Sequence, residues 1–390
     1  MAKRKMKKAY CIEEEKKENA KVKKGGKPQT KTLTDQNGSI LFGGTINPEL
    51  RAAIAREEKK IRPNIQDVEK MVLKSIVGQD RQVREIITTI YKSIEFNNLK
   101  SNILIIGGSG TGKTETVKQI VKILGIPYTI EDATKYTKEG YYGMDTTDMV
   151  FNLVYNANYN IQKAQKGIIV IDEIDKKTGY MQNDISGVEV LKSLLKIIEG
   201  TKIKMEVPKK GSYFGSVVDF DTKNITFILM GAFSGIKEIR DNRLNLKTIG
   251  FHMGEDDEKE MDFQDGYTKQ DLVEYGMPEE FVGRIDNITV MNELTEENLS
   301  QILRKSKLSV FKEYQKELTK RGVTLKFDTK LFDAIAKKSM SLNTGARELT
   351  NTVNYIFFKI IFDVLANPGK YHQCVLDLDI VNDNRKYKLS

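Results

Sequence analysis

The chain has 390 residues, 39% of them hydrophobic and 30% charged, with a formal net charge of +9. These values exclude a small disulfide scaffold and a low-complexity or collagen-like chain, and they leave room for two or three domains. The basicity is local: residues 1–28 hold eleven Lys/Arg against four Glu, so all but +2 of the net charge lies in that tail.

The near-neutral remainder argues against a nucleic-acid-binding body. Cys11 and Cys374 form neither a disulfide framework nor a metal-ligand spacing, which fits a reducing compartment. The charged start is not followed by the apolar core of a secretory signal, and no apolar run approaches membrane-spanning length. A cytoplasmic location without a membrane partner is the expectation.

Residues 1–62 are expected to form a basic, largely disordered segment, with a short helix over 49–60 that Pro63 ends. A helix over Asn64 to Lys74 and the segment Ile76-Val77-Gly78-Gln79 follow. Then comes one buried helical stripe: Val83, Ile86, Ile87, Ile90, Tyr91 and Ile94. Ile103-Leu104-Ile105-Ile106 reads as a buried strand. It runs into Gly107-Gly108-Ser109-Gly110-Thr111-Gly112-Lys113-Thr114 and a helix with apolar positions 117, 120, 121 and 124. Strand, glycine-rich turn and helix are the context a P-loop requires. By average composition, a chain of this length meets the pattern by accident about once in a hundred cases.

Further on, the spacing predicts a strand at Pro127 to Ile130, a helix from Asp145 to about Lys166 and a strand at Ile168 to Ile171. A helix from Val188 to Glu199, a hairpin-like stretch from Lys202 to Asp221 and a strand at Ile225 to Met230 follow. Residues 234–280 are polar and acidic without clear periodicity. A helix over Thr295 to Lys320, a strand at Val323 to Phe327, two helices within 328–366 and a last strand from Cys374 to Val381 complete the chain. Alternating strands and helices imply a mostly parallel sheet wrapped by helices. The expected division is a large α/β P-loop domain over 63–290 and a smaller mixed α/β domain over 291–390.

The chemistry follows from the residue types. Backbone N–H groups of Gly108, Ser109, Gly110, Thr111 and Gly112 can surround a polyphosphate at a helix N-terminus. Lys113 offers a charge to the β- and γ-phosphates, and the Thr114 hydroxyl a ligand to Mg²⁺. Asp172-Glu173 closes an apolar strand expected beside the P-loop strand. There Asp172 can hold the Mg²⁺ shell and Glu173 can polarise a water for in-line attack. ATP and Mg²⁺ are the implied cofactors.

With both motifs placed, the chain resembles an AAA+ ATPase of the ClpX unfoldase family. The likeness extends in order over about residues 63–366. Ile76-Val77-Gly78-Gln79 resembles the IGQ segment beside the adenine, and Gly140-Tyr141-Tyr142-Gly143 the GYVG pore loop. Residues 160–167 resemble DVQKAQRG, with Asn160 at the leading acid. Residues 186–201 resemble SGEGVQQALLKLIEGT. Gly231-Ala232-Phe233, Phe281-Val282-Gly283-Arg284 and Gly345-Ala346-Arg347 resemble GAF, FIGR and GAR.

This resemblance implies an AAA+ fold and a homohexamer that unfolds and translocates tagged or unfolded proteins into a ClpP-type peptidase. Ile76 and Val77 would line the adenine. Arg284 would be a finger reaching a neighbour's γ-phosphate, and Arg347 a sensor within its own subunit. Tyr141 and Tyr142 would grip the polypeptide, and Ile249-Gly250-Phe251 would dock on the peptidase. Three departures stand out. Only Cys11 falls where the family has a four-cysteine zinc domain, so that domain is expected to be absent. Lys209-Lys210-Gly211 stands where the pore entrance usually reads RKH. Met230 precedes Gly231 where a sensor would sit, so no sensor role is assigned there. The alternatives are a peptidase-independent remodelling chaperone, a nucleic-acid-binding ATPase using the basic tail, and a nucleotide-gated scaffold without turnover.

Overall fold

A computed structural model describes residues 63–96, 99–137, 144–178, 185–208, 215–248, 266–341 and 345–390. The expectations for residues 1–62, Tyr141 and Tyr142, Lys209 to Gly211, and Ile249 to Phe251 lie outside the described residues.

Helix α1 (Ile65–Leu73) starts where the Asn64 side chain accepts the Gln66 N–H. Helix α2 (Asp80–Glu95) buries Val83, Ile86, Ile87 and Ile90, four positions of the stripe read from the sequence. Strand β1 (Ile103–Ile106) is buried along its whole length, and α3 (Lys113–Leu124) follows the glycine turn.

Strands β2 (Tyr128–Asp132) and β3 (Ile168–Asp172) are joined by α4 (Asp148–Asn156) and α5 (Ile161–Ala164). The single helix expected over 145–166 is therefore two. Asn158 and Tyr159 take φ of 53° and 58°, a left-handed pair that no α-helix accommodates. The Asn160 side chain then caps α5.

Helix α6 (Ile185–Glu199) precedes the antiparallel pair β4 (Lys202–Val207) and β5 (Ser216–Asp221), and β6 (Thr226–Gly231) is fully buried. Residues 234–280, read as aperiodic, contain α7 (Ile236–Thr248), α8 (Lys269–Glu274) and the first half of the short helix α9 (Glu279–Val282). Strand β7 (Asn287–Val290) was not expected; its four residues carry too short a pattern to stand out.

The main sheet has five parallel strands in the order β2-β3-β6-β1-β7. Strand β3 is thus not beside β1, as the sequence reading had it: β6 lies between them. One apolar cluster covers each face. The first joins Leu104, Ile169 and Phe227 to α4 and α6; the second joins Ile103, Ile105 and Val170 to α1, α2 and α3. Side chains alternate between the two faces of a strand, which is why both faces of this sheet are apolar.

The C-terminal part has its own cluster, centred on Phe311, Ile335, Val353 and Phe357. Helices α10 (Glu296–Lys305) and α11 (Val310–Lys320) replace the one helix expected over 295–320, because Ser309 caps a new start. Strand β8 (Thr324–Lys326), α12 (Lys330–Met340) and α13 (Ala346–Ala366) follow. Strand β9 (Gln373–Leu376) ends in a 3-10 turn, and β10 (Tyr387–Leu389) closes the chain, so the last strand is not the one expected. The small sheet, β10-β9-β8, is mixed: β8 runs parallel to β9 and β10 antiparallel.

Helix α13 is the one described helix long and apolar enough to cross a membrane. Its Leu349, Val353, Ile356, Phe357 and Ile360 belong instead to the small-domain core.

Candidate functional site

The P-loop leaves β1 at the C-terminal end of the sheet. Gly110 and Gly112 take φ of 78° and 92°, the left-handed values that let successive N–H groups line a concave surface. Gly112 is the N-cap of α3 and brings no side chain to its first turn, so the N–H groups there stay available to an anion. The Lys113 ammonium donates to the Gly107 and Gly108 carbonyls at 2.5 and 3.0 Å. Burial lowers its pKa below the ordinary lysine value. Asp172 and Asp175 oppose that shift, and the charge of Arg347 adds to it. Lys113, Asp172, Asp175 and Arg347 therefore share one electrostatic neighbourhood.

Thr114 Oγ1 donates to Asp172 Oδ2 at 2.8 Å. This bond spans from α3 to β3 across the end of β6. A hydroxyl and one carboxylate suit Mg²⁺, which takes few protein oxygens and completes its octahedron with phosphate and water. Among the described residues no cluster of three or more His, Cys, Asp or Glu could hold a metal; Thr114 and Asp172 are the pair that would meet one carried in on phosphates.

Glu173 follows in the left-handed region, φ 57° and ψ 33°, with its N–H on Asp172 Oδ1 at 3.0 Å and its side chain exposed. Such a conformation is costly for a residue other than glycine and turns the chain sharply out of the strand.

The C-terminal domain closes on the loop. Ala346 N–H donates to the Gly110 carbonyl at 3.2 Å. A Cβ on Gly345, whose φ is 58°, would lie 3.1 Å from that same oxygen, so this approach needs glycine. Arg347 stands exposed in the first turn of α13. A cation there is disfavoured by the helix dipole, so its place is not explained by helix stability. Ile76 is buried and Val77 half-buried, and the Ser306 hydroxyl donates to the Ser75 carbonyl at 2.7 Å, a second tie between the domains.

Several residues of this end were not singled out from the sequence. Gln79, fully buried, donates to the carbonyls of Thr111 and Asn292 and accepts the Asn292 N–H. Asn292 in turn donates to the Gly78 carbonyl and accepts from Gln82. Asp175 Oδ2 accepts the Phe233 N–H, while its Oδ1 is buried without a partner, so this acid joins the turn after β3 to the end of β6. An isolated Asn carries no sequence signal; Gln79 stands in the quoted Ile76-Val77-Gly78-Gln79 segment, where the resemblance gave it no role of its own. Asp175 could have been suspected from its place in Asp172-Glu173-Ile174-Asp175.

Arg284 is not with this group. Its carbonyl accepts from Asn102 Nδ2 at 3.0 Å, and Asn102 precedes β1. From Asn102 to Gly107 the strand covers about 16 Å. The side chain pairs with Glu199 and is 53% exposed.

Two family models match the chain: an AAA domain (Cdc48 subfamily) over residues 98–288, and the C-terminal, D2-small domain of ClpB protein over 294–365. The ATP-dependent Clp protease ATP-binding subunit ClpX of Treponema denticola is 33% identical over 348 residues, 84% of this chain and 83% of that protein. The subunit of the same name from Bacteroides thetaiotaomicron is 32% identical over 352 residues, covering 84% and 83%. A nucleotide-binding P-loop, a carboxylate pair at the end of β3 and a small domain closed on the loop agree with these matches: the chain belongs to the ClpX family of AAA+ ATPases.

Proposed function

We propose that this chain is an ATP-driven protein unfoldase and translocase that works as a homohexamer and feeds tagged or unfolded substrates to a ClpP-type peptidase. The observation that carries the reading is the separation of Arg284 from its own P-loop. A finger about 16 Å down the strand serves only a nucleotide held by another copy. The names of the relatives supply the protease connection. Self-association is also supported by α13, whose Tyr355, Phe358, Phe362 and Leu365 are exposed at helical spacing on one face. Contiguous apolar patches of this kind mark association surfaces.

Within one copy, the loop from Gly108 to Gly112 holds the phosphates and Lys113 neutralises the β- and γ-oxygens. Thr114 and Asp172 would hold a Mg²⁺, which when bound would offset charge developing on the phosphates. Glu173 takes a proton from the water that attacks the γ-phosphorus, and the bond to the β,γ-bridging oxygen breaks. Arg284 of one copy stabilises the charge in the site of the next. Arg347 reports nucleotide state to the small domain, and Ile76 and Val77 face the adenine. Tyr141 and Tyr142 pull the polypeptide, and Ile249, Gly250 and Phe251 dock the peptidase. A cytoplasmic location goes with this reading.

The test mixes the protein with a cognate ClpP ring, ATP and a folded fluorescent substrate. Loss of fluorescence with peptide release is the expected result. Fluorescence loss that persists without the ring and yields no peptides would make the chain a remodelling chaperone. ATP turnover with no loss of fluorescence would refute the unfoldase reading.

A further inference from the structure

Arg284 Nε and Nη2 both donate to Oε1 of Glu199, at 3.0 and 2.5 Å. The backbone beneath is fixed. The Arg284 N–H donates to the Phe281 carbonyl, and its own carbonyl accepts from Asn102 Nδ2. Asp286 Oδ2 accepts the Asn102 N–H at 2.7 Å. Any change of partner for Arg284 is therefore a movement of the side chain alone.

Glu199 is the last residue of α6. A carboxylate is unfavourable there, because the helix C-terminus already carries partial negative charge. The Lys100 ammonium donates to the Ile198 carbonyl at 2.8 Å and offsets part of that charge. The Glu199 carboxylate itself is neutralised by Arg284. The side chains are 53% and 41% exposed, and an ion pair so wetted contributes little to the fold. It is strong enough to choose a rotamer and weak enough to lose to a phosphate, which offers guanidinium more charge and two-pronged geometry.

We propose that Glu199 is a positioning residue: it holds the Arg284 guanidinium on its own subunit and yields it to the γ-phosphate of a nucleotide bound by a second copy. The inference rests on the reading of Arg284 as the residue supplied across the interface. Helix α6 also ties the clasp to its own site. A Cβ on Gly187 would lie 2.8 Å from the carbonyl oxygen of Lys177, which closes the turn Ile174–Lys177 directly after Glu173. About 18 Å of helix then leads from that contact to Glu199. The carboxylate that restrains the finger stands on the helix packed against the hydrolytic turn of the same subunit.

Steady-state ATP turnover of the full chain tests this, in wild type, Glu199→Gln, Arg284→Ala and the double variant. Glu199→Gln keeps the shape and removes the charge. It should raise kcat about two- to fivefold, the equilibrium weight of an exposed ion pair. KM for ATP and the thermal midpoint should stay as in wild type. In the Arg284→Ala background the same change should have no effect. Glu199→Ala must reproduce the gain, which guards against a folding defect peculiar to one variant. If Arg284→Ala lowers turnover but Glu199→Gln leaves kcat at or below wild type, the clasp is refuted and the finger stands. If Arg284→Ala turns over ATP like wild type, the finger reading falls and takes the clasp with it.

Discussion

The two ends of β1 are built differently. At the C-terminal end, Lys113 and Thr114 from α3, Asp172 and Glu173 from the end of β3 and Arg347 from α13 gather in one place, linked by the Thr114–Asp172 bond and the closure of Gly345 on Gly110. At the N-terminal end, Asn102, Asp286, Lys100 and Glu199 support a single exposed cation, Arg284. One end is convergent; the other presents a group outward. On the proposed reading, these are two unlike half-sites, and a complete site would take two chains in a head-to-tail, heterologous arrangement.

The largest effect should come from the outward end. Arg284→Ala is expected to lower kcat by about 10³–10⁵, the range for a finger supplied in trans, while ATP binding persists. Glu173→Gln should cost about 10²–10⁴ in kcat, as loss of a general base does, again with ATP bound. Mixing the two inactive chains separates the two ends directly. In a randomly mixed ring roughly a quarter of interfaces would pair an intact Glu173 with an intact Arg284 of the next copy, so turnover should reappear on mixing. No recovery in rings shown to be mixed would mean that the two residues serve the same subunit's site, and the contrast between the two ends would lose its meaning.

The convergent end was largely legible in the sequence, because a P-loop forces local residue choices: glycines where φ is positive, lysine and threonine at the helix start, an apolar strand before them. Asp172-Glu173 was legible for the same reason, as a strand that ends in acids. Its distance from β1 was not, since strand order is decided by contacts remote in sequence, and β6 occupies the place beside β1. The breaks at Asn158 and Tyr159 and at Ser309 were missed because helix periodicity persists across a short interruption. Gln79, Asn292, Lys100 and Glu199 act only through partners brought by the fold: Gln79 and Asn292 are 213 positions apart. The small domain showed its helices and its Arg347 motif, but β10 is three residues long and pairs with a strand it follows at a distance.

At the convergent end, Gln79→Leu keeps the volume and strips three hydrogen bonds from the segment that joins Ile76 and Val77 to the loop. Backbone groups of Thr111 and Asn292 then lose their partner, which should cost about 3 kcal/mol of stability. Chemical denaturation monitored by circular dichroism reads this, and ATP added at saturation should recover part of it by mass action. A loss below about 0.5 kcal/mol would show that water replaces the amide and that this end is less tightly built than its bonds imply.

The smallest effect belongs to the other end and concerns a half-buried charge rather than a bond network. Burial lowers the pKa of Lys100 from 10.5 to about 8, although Asp286 and Asp221 pull it upward. Its ammonium lies 5.2 Å from the Phe227 ring centre and cannot be fully hydrated. In the unfolded chain the lysine keeps its proton to about pH 10.5; in the fold it releases it near pH 8. Between those values the unfolded state binds more protons, so stability rises with pH there, and below pH 8 the cost of the charged form is complete. Relative to Lys100→Met, the wild type should gain about 1 kcal/mol between pH 7.5 and 9.5, after discounting for solvent at this half-buried position. Parallel pH profiles for the two chains would mean that water reaches the ammonium. The outward end would then carry its cations at no cost, and the unequal construction of the two ends would rest on Arg284 alone.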